Sequence, residues 1–512
     1  MCDEGARLTT PTLGDASAEP IFTESEPSPS VVANSAWLML AQGIVALIAG
    51  VVSIYAIRNF TTSDWGHYST ALALVALFTI FSGSGLAPLA LREMTAAPGR
   101  QGEILGTTLQ ALAWTFVPAV IALLATAAVL GYPRDVFVLV LVLSPSLFLD
   151  PALNNFGAAF NARSRLFYVA LFQVAQAVVY GVVAVVVIAG SFGVTGLAVA
   201  TVAASSTAAI FALVLLRKRL RLHLRVRQAA TNVWAFMRAA VPIAGINLVA
   251  VVYARIDILM LSVLSTSSKV AFYTVPYGLV RLSWLLPSVI SAAFFPTLSR
   301  SLESDRAEAQ YLFFLVVRVF FFLSVPISLV LALSSPALLP FVFGDPYSHS
   351  VAVLQIMAWT SVLGFQNYVL WYALLAARKE RAVLVIQIAG LLVNVAINAF
   401  AIPLYGSSGA ATALLVSDLV VIAGQVVLVH RGLFAIPFTK LLAKPGIAGI
   451  VVVPIAALIA TRSAAGGAAI GALAYVVILQ ALRYVTVEEW RPVTSILRTP
   501  FALIRRGPPP AT

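Results

Sequence analysis

Stretches of about 20 mostly apolar residues recur along this chain from Val32 to Tyr484, each long enough to cross the hydrocarbon core of a bilayer as a helix. No intervening segment is polar enough to form a separate soluble domain. Charged residues make up 10% of the 512, against roughly 25% in soluble globular proteins. We therefore expect an all-α polytopic membrane protein with short loops.

The apolar stretches predict fourteen transmembrane spans. Six lie near residues 33–57, 67–90, 105–131, 136–160, 166–190 and 194–216, and six more near 235–263, 270–297, 309–334, 350–376, 382–404 and 408–430. The last two lie near 444–461 and 464–483. Residues 1–31 are acidic and rich in Ser, Thr and Pro, and they lack the basic start and apolar centre of a signal peptide. We expect them to form a disordered cytoplasmic tail, and residues 484–512 to form a second cytoplasmic tail.

Lys and Arg are distributed unevenly between alternate loops, and this bias sets the orientation of the spans. Loops after even-numbered spans hold eighteen: Arg92, Arg100, Arg163, Arg165, Arg217, Lys218, Arg219, Arg221, Arg225, Arg227, Arg300, Arg306, Arg378, Lys379, Arg381, Arg431, Lys440 and Lys444. Loops after odd-numbered spans hold four: Arg58, Arg134, Lys269 and Arg462. The bias predicts that both termini lie in the cytoplasm, with the protein in the cytoplasmic (inner) membrane.

The formal net charge of +12 would suggest a nucleic-acid partner in a soluble protein, but here the cations lie mainly in these loops. We expect no nucleic-acid partner. The densest run, RKRLRLHLRVR at 217–227, lies in a predicted cytoplasmic linker over residues 217–234. Contact with anionic lipid headgroups is the simpler interpretation of this run, and a dedicated regulatory site is the alternative.

Two short matches indicate an internal repeat. DWGHYSTALALV from Asp64 resembles KVAFYTVPYGLV from Lys269 at an offset of 205 residues, and GVTGLA from Gly193 resembles GSSGAA from Gly406 at an offset of 213. Spans one to six (an N-lobe, 32–216) and seven to twelve (a C-lobe, 235–430) are thus predicted to be two copies, with residues 431–483 carrying spans thirteen and fourteen. Because each copy has an even number of spans, both have the same orientation, which predicts a pseudo-two-fold axis along the membrane normal, a central cavity and alternating access.

Ionisable side chains at membrane depth are costly and indicate functional sites. Arg281, Arg255 and Arg318 are candidates to line a cationic cavity for a phosphate or pyrophosphate, because a guanidinium binds such oxyanions in a bidentate manner. Asp257 is a further candidate contact for the substrate. The alternatives are an ion pair between Asp257 and Arg281 and, for Arg255, a side chain that extends to the membrane surface. At about 100° per residue, Arg255 and Asp257 point to nearly opposite sides of span seven, so we expect that they do not share one cavity.

Uncharged polar residues also occur inside the spans. Gln387, Asn394 and Asn398 follow one another at spacings of seven and four, which place them on one face of span eleven. They are candidates for a cavity wall that contacts sugar, with hydrogen bonds between helices as the alternative. Asn247, whose direction on span seven falls between those of Arg255 and Asp257, is a further candidate contact.

Two acids lie deep in the membrane, Asp150 in span four and Asp418 in span twelve. Pro151 follows Asp150, and such kinks are frequent where a transporter bends. Both acids are candidates for a proton or sodium coupling site. An acid that is simply hydrogen-bonded to a neighbouring helix is the alternative.

Several classes of function lack their required residues. Cys2 is the only cysteine, which excludes an intramolecular disulfide, a multi-cysteine metal site and an iron-sulfur cluster. The sequence contains no nucleotide-binding glycine loop, metal-ligand cluster or nucleophile motif, and its longest outer loop, around Asp345, is too short for a catalytic domain. We therefore predict a transporter without cofactor or metal, and neither an enzyme nor a scaffold.

Three motifs and the 6+6+2 arrangement of spans carry a resemblance to a known family. The motifs run from Arg58 through DWGHY to the GSGLAPLALRE that ends at Glu93, from the RID at Arg255 to AFYTVPYGLV, and through NVAINAFAIPLYGSSGAATA from Asn394. In these features the chain resembles the Wzx-type oligosaccharide flippases, the polysaccharide transporter branch of a superfamily that also contains multidrug extruders and peptidoglycan-precursor flippases.

The resemblance implies a V-shaped fold of two lobes and transport of an undecaprenyl-pyrophosphate-linked oligosaccharide to the outer leaflet for cell-surface polysaccharide. It also implies that basic cavity residues, here Arg255 and Arg281, receive the pyrophosphate, with Arg58 and Arg92 at the membrane edges as weaker candidates. A polysaccharide polymerase and glycosyltransferases are the protein partners that it suggests. A multidrug cation extruder, expected to favour acidic cavity residues, and a peptidoglycan lipid-precursor flippase are the alternatives.

Overall fold

The computed structural model of the protein describes residues 29–83, 85–222, 230–486 and 489. All regular elements in these ranges are helices, and fourteen helical segments are long and apolar enough to cross a membrane. The predicted number of spans is confirmed.

Spans one to six form the N-lobe. They consist of α1 (Pro29–Asn59), α2 (Thr62–Gly83), α3 (Leu86–Ala96), α4 (Gln101–Val129), α5 (Arg134–Leu143), α6 (Ser146–Asn161), α7 (Leu166–Ala189) and α8 (Gly193–Arg219), with a short 3-10 helix at Pro98–Arg100. Two buried apolar clusters hold these helices together. Span two is made of α2 and α3, and span four of α5 and α6.

Spans seven to twelve form the C-lobe. They consist of α9 (Ala230–Leu264), α10 (Ser267–Ser283), α11 (Leu285–Ser304), α12 (Arg306–Phe343), a 3-10 helix at Asp345–Ser350, α13 (Val351–Ala376), α14 (Glu380–Tyr405) and α15 (Ser407–Gly432). Span eight is made of α10 and α11. The last two spans, α16 (Phe438–Ala460) and α17 (Ala464–Ala481), pack against α12 and share its apolar cluster.

The second span of each lobe is broken. In the N-lobe α2 ends at Gly83, and in the C-lobe α10 ends at Ser283, with only Trp284 between it and the start of α11. Pro287 is the third residue of α11 and has no amide hydrogen to bond back into the preceding turn, which explains the break in span eight. Breaks in corresponding spans agree with the predicted repeat.

The lobes touch along α2 and α10, at the end of the bundle opposite the end at which α17 finishes. We call these the distal end and the terminal end. The hydroxyl groups of Ser69 and Thr274 are 3.3 Å apart, and these two residues correspond to each other at the repeat offset of 205. A contact between equivalent residues places the pseudo-two-fold axis between them, as expected for two copies in the same orientation.

Further contacts close the distal end. Thr62 donates a hydrogen bond to Ser268 across the lobes at 3.0 Å. A side chain at Gly66 would overlap the backbone of Ser267, so only glycine allows α2 to approach α10 this closely. Arg58 donates to the carbonyl oxygens of Phe341 and Val342 at the end of α12, the latter at 2.7 Å.

Several predicted boundaries fall where the structure describes little. Most of the N-terminal tail (1–31) and of the C-terminal tail (484–512) lies outside the described residues, as does the end of the basic run beyond residue 222. α9 begins at Ala230, earlier than the predicted start of the C-lobe. The lobe boundaries at 216 and 430 stay predictions.

Candidate functional site

One face of α9 is directed towards the N-lobe along its whole length. Near the terminal end, Gly85 of the N-lobe lies against the backbone of Ala244. Near the distal end, Leu259 packs into an N-lobe cluster and Ser262 bonds to the Tyr132 hydroxyl at 2.7 Å. Arg255 lies four and seven residues before Leu259 and Ser262, so helical periodicity places it on this same face.

One face of α10 is directed towards the N-lobe in the same way. Ser267 and Thr274 contact α2, and Arg281 follows Thr274 by seven residues, two turns further along the same face. Arg281 is exposed, and a side chain at Gly278 would meet nothing within 4 Å. Below the distal contact, this face of α10 therefore opens onto a cleft between the lobes, while α9 stays in contact with the N-lobe at Gly85.

The two arginines lie at membrane depth. Arg255 is nine residues from the distal end of α9 and Arg281 fourteen from that of α10, about 14 and 21 Å at 1.5 Å per residue. The hydrocarbon core is about 30 Å thick. The two backbone positions lie at different depths, but arginine side chains are long enough for the two guanidinium groups to reach the same depth.

Arg255 and Arg281 form one cationic patch. They are close enough for their charges to repel each other, and the guanidinium carbon of Arg281 lies 5.9 Å from the centre of the Tyr277 ring. Within the described residues neither arginine has an ion pair or a side-chain hydrogen bond. A half-buried cation without a counter-ion at this depth is costly, so the patch is suited to an anionic ligand.

The facing wall in the N-lobe is uncharged. From Tyr68 to Gly83, α2 carries no Asp, Glu, Lys, Arg or His. The cleft thus receives its intramembrane cations from α9 and α10 alone, as far as the described residues show. This agrees with the scarcity of intramembrane cations in the first half of the sequence.

A cavity of about 680 Å³ lies within the C-lobe, between α9, α10, α13, α14 and α15. Its walls carry the aromatic side chains Tyr253, Tyr277, Trp284, Tyr368 and Trp371 and the polar side chains Asn247, Asn367, Gln387 and Asp418. Glu380 and Arg381 lie at its terminal end. Aromatic walls with a few polar groups are typical of small-molecule sites, and Tyr277 links this cavity to the arginine patch.

Asp257 sits in a buried hydrogen-bond network instead of an ion pair with Arg281. Its carboxylate accepts from the Tyr273 hydroxyl at 2.7 Å and from the Asn398 amide at 2.6 Å. Asn398 also donates to Asn394 at 2.9 Å. Both asparagines are fully buried, which is the helix-to-helix bonding that was the alternative to a sugar-contacting role. Only Gln387 of this polar stripe reaches the cavity.

The network extends to the second acid of the C-lobe. Asn394 donates to Ser417 at 3.2 Å, and Tyr253 donates to Ser417 at 3.2 Å and to Asp418 at 2.8 Å. Asp257 and Asp418 thus accept hydrogen bonds from neutral donors, and within the described residues no cation pairs with either. A proton or a small cation can neutralise such acids. No cluster of three or more His, Cys, Asp or Glu in the described part of the chain is arranged to hold a metal ion.

Asp150 has a different environment, in the N-lobe. The Ser205 hydroxyl donates to it at 3.1 Å, and Gln176 donates to Ser205 at 3.0 Å. This chain links α6, α8 and α7. Asp150 is therefore bonded to a neighbouring helix, as its alternative interpretation predicts.

Arg318 lies apart from the other two arginines. It donates to the Tyr484 carbonyl at 3.2 Å and forms an ion pair with Glu489, both beyond the last span. At 38 residues α12 is about 57 Å long and exceeds the bilayer core of about 30 Å, so its first turns extend past the membrane. Arg318 is level with the terminal end of α17, and it does not join the cleft.

Two tyrosines that are not among the predicted site residues complete the site. Tyr253 lies four residues before Asp257, and Tyr277 four before Arg281. That spacing puts each ring on the same helical face as the charged group. The sequence signal that could have identified these tyrosines is an aromatic residue one helical turn before a charged residue inside a span.

Comparisons with known proteins agree with this architecture. A family profile described as polysaccharide biosynthesis protein matches residues 31–302, just over half of the 512-residue chain. A comparison with curated protein sequences gives no match.

Three solved structures illustrate the shared fold. The lipid II flippase MurJ in an inward closed conformation has a TM-score of 0.70 at 13% identity, covering 89% of this chain and 99% of MurJ. An inward-facing multidrug resistance MATE family transporter of the MOP superfamily has a TM-score of 0.57 at 14% identity, covering 80% of this chain and 96% of that one. A MOP superfamily transporter from Pyrococcus furiosus gives 0.57 at 12% identity, with 80% and 98% covered.

At these identities the structures establish the fold and the profile establishes the family. The predicted fold of two six-span lobes with two additional helices is confirmed. The chain is a multi-pass membrane protein that belongs to the polysaccharide biosynthesis family of flippases and shares the fold of the MOP transporters.

Proposed function

We propose that the protein moves a lipid-linked oligosaccharide, attached through pyrophosphate to an undecaprenyl-type lipid, across the cytoplasmic membrane by alternating access. Its product then serves cell-surface polysaccharide synthesis, together with glycosyltransferases and a polymerase. The observation that carries the proposal is the patch of Arg255 and Arg281, two guanidinium groups on the faces of α9 and α10 that are directed at the other lobe, with no ion pair to any described residue.

The charge of the patch fits a pyrophosphate. Two guanidinium groups close enough to repel each other are stabilised by an anion that bridges them. Arginine binds phosphate oxygens through two parallel hydrogen bonds, which also orients the group. The depth of the patch would hold the pyrophosphate midway between the two leaflets while the lipid chain stays in the bilayer.

The cavity of the C-lobe fits the glycan. Tyr253, Trp284 and Trp371 offer flat apolar surfaces, and Asn367 and Gln387 offer amide donors and acceptors. Its volume of about 680 Å³ is in the range of small-molecule sites. We therefore assign the first sugars to this cavity, next to the anion on Arg281.

The position of the lobe contacts supports alternating access. The contacts that close the distal end lie near the pseudo-two-fold axis, and they join Thr62 to Ser268 and Ser69 to Thr274. Rotation of the lobes about this region would open one end as it closes the other. The bias of Lys and Arg supports a cytoplasmic position for the terminal end, with both termini. The closed distal end would then face outward.

For energy coupling we propose Asp418, with Asp257 joined to it through the buried network. A proton or sodium ion that neutralises this pair would change the packing of α9 against α14 and α15. Asp150 remains a second candidate in the N-lobe. Substitution Asp418→Asn should abolish the dependence of transport on an imposed ion gradient, while transport down the substrate gradient continues.

A multidrug cation extruder is the second candidate, because Asp418 and the aromatic rings of the cavity would also suit an organic cation. Arg255 and Arg281 disfavour it through repulsion. A peptidoglycan lipid-precursor flippase would also carry a lipid pyrophosphate, so the two arginines favour it as much as they favour oligosaccharide transport. The two functions differ in the glycan that is carried.

The test uses purified full-length protein in vesicles with a fluorescent lipid-pyrophosphate oligosaccharide, a lipid-pyrophosphate disaccharide peptide and a cationic dye. We expect movement of the first. Substitution Arg281→Ala should weaken its apparent affinity about 10- to 100-fold, since a hydrogen bond to a charged group contributes about 1.5–3 kcal/mol. Arg281→Lys should lie between, and Arg462→Ala, an exposed arginine at the distal end, should match the wild type. Transport of the dye alone would refute the proposal.

A further inference from the structure

A second pocket, of about 600 Å³, opens at the terminal end between α12, α16 and the residues that follow α17. It belongs neither to the cleft between the lobes nor to the cavity of the C-lobe. The side chains that matter for its chemistry are Tyr311, Phe314, Arg318, Lys440, Lys444 and Arg483. We call it the basic pocket.

The basic pocket is strongly cationic. Four of its lining residues carry a positive charge, and no lining residue is acidic. Lys444 donates to the carbonyl oxygens of Leu482 and Arg483 at 2.8 and 3.4 Å, which fixes its ammonium group without neutralising it. Within the described residues, the side chains of Lys440 and Arg483 have no hydrogen bond or ion pair. Four cations around one pocket without a matching set of acids indicate an anionic ligand.

Among the described residues, the one acid that pairs with a cation of this pocket comes from the tail. Glu489 pairs with Arg318, whose side chain is 24% exposed and is also held by the Tyr484 carbonyl. One carboxylate against four cations leaves the pocket with net positive charge. Glu489 therefore acts as an internal anion on one part of the site, and a ligand with a phosphate group would compete with it for Arg318.

The position of the pocket selects the kind of anion. Lys440 and Lys444 are in the first two turns of α16, and Arg483 follows the end of α17, so the cations lie where these two spans leave the bilayer. Phe314 and Leu441 form an apolar wall beside them. A phosphodiester at headgroup level with glycerol and acyl chains beneath it matches both surfaces, and basic pockets between spans on the cytoplasmic side bind such headgroups.

We propose that the basic pocket binds the phosphate headgroup of an anionic phospholipid from the leaflet at the terminal end. Lys440 and Arg483 make the first contacts, and Arg318 joins them when Glu489 is displaced. The site would connect α16 and α17, the two helices outside the repeat, to the composition of the membrane. The inference does not depend on the substrate that the cleft transports.

The test measures binding of the first lipid to detergent-purified full-length protein by native mass spectrometry. The probes are phosphatidylglycerol, phosphatidylcholine and sodium phosphate, so that a lipid headgroup and free phosphate are distinguished. The variants are Lys440→Ala with Arg483→Ala, and as a matched control Arg300→Ala with Arg378→Ala, two exposed cations at the same end of the bundle.

We expect the pocket variant to bind phosphatidylglycerol about 30-fold more weakly, which corresponds to roughly 1 kcal/mol for each cation removed. The control variant and phosphatidylcholine binding should stay unchanged, and Glu489→Gln should bind phosphatidylglycerol several-fold more tightly. Lys440→Ala alone, at an exposed side chain, should give about a fivefold loss if the double variant folds poorly. Phosphatidylglycerol binding that both double variants retain equally, or displacement of this lipid by millimolar phosphate, would overturn the assignment.

Discussion

Replacing Arg58 by alanine should loosen the distal closure of the two lobes. The side chain leaves the end of α1 and donates two hydrogen bonds to the last turn of α12, to the carbonyl oxygens of Phe341 and Val342. These carbonyl groups have no partner further along the helix, and they carry the negative end of its dipole. Arg58 therefore both satisfies and neutralises the end of a C-lobe helix from the N-lobe.

The magnitude follows from the groups involved. A hydrogen bond from a charged donor contributes about 1.5–3 kcal/mol, and the exposure of Arg58 places the pair at the lower end of that range. A cation at a helix C terminus adds roughly 0.5 kcal/mol. Loss of about 2 kcal/mol raises the ratio of open to closed distal ends about 30-fold.

A thiol buried behind the closure reports this ratio. Ser69 is 9% exposed between the lobes, so a cysteine there reacts with a membrane-impermeant maleimide only when the distal end opens. Cys2 is the only native cysteine, and its replacement by serine leaves Ser69→Cys as the single thiol. As long as the closed form dominates, the rate of labelling is proportional to the open fraction, and Arg58→Ala should raise it about 30-fold.

Two controls make the result interpretable. Arg134→Ala removes an exposed distal arginine for which no contact between lobes is described, so its labelling rate should equal that of the parent. Arg58→Lys keeps the charge but loses the planar fork, and it should give an intermediate rate. A rate in Arg58→Ala within twofold of the parent would refute the argument that Arg58 holds the lobes together.

Three further predictions concern the closure, the buried network and the tail. Cysteines at Thr62 and Ser268, whose hydroxyl groups are 3.0 Å apart, should form a disulfide that stops transport, and a reductant should restore it. Asp257→Ala leaves two buried donors without an acceptor and should cost about 2–4 kcal/mol of stability, measured as a lower melting midpoint in detergent, with Asp257→Asn losing less. Burial raises the pKa of Glu489, but hydrogen bonds from the backbone and from Arg318 outweigh it and hold the pKa below its usual range. Its stabilising contribution is therefore present at neutral pH and lost as the pH falls through the lowered value, and the melting midpoint of Glu489→Gln should fall less below pH 5.

Helical periodicity predicted the direction of side chains well and their depth poorly. Gln387, Asn394 and Asn398 do share one face of α14, as their spacing predicts. Yet that face meets the cavity near the terminal end and the buried network near the distal end, so Gln387 lines the cavity and the asparagines bond to other helices. A spacing of seven residues states that two side chains point the same way, and it does not state what lies there.

The same limit explains Arg318 and Asp257. Hydropathy cannot show where a membrane surface crosses an apolar helix of 38 residues, so Arg318 was assigned to the bilayer interior although it lies level with the tail. Sequence order made Asp257 and Arg281 neighbours, but α9 and α10 direct them to different surfaces. Arg255 and Asp257, by contrast, are two residues apart on α9. A rotation of about 100° per residue was therefore enough to predict that their side chains point in nearly opposite directions.

The surface of α2 that faces Arg255 and Arg281 is uncharged. This difference between the two lobes has a mechanical consequence. The two lobes share one framework, but within the described residues only the C-lobe directs cations into the cleft at this depth. The anion that we propose for Arg255 and Arg281 would move with the C-lobe, because the described residues of α2 offer no cation at this depth to hold it. In the proposed alternating access, reorientation of the lobes would then break no strong ionic bond to the N-lobe, and the apolar face of α2 would slide past the bound substrate.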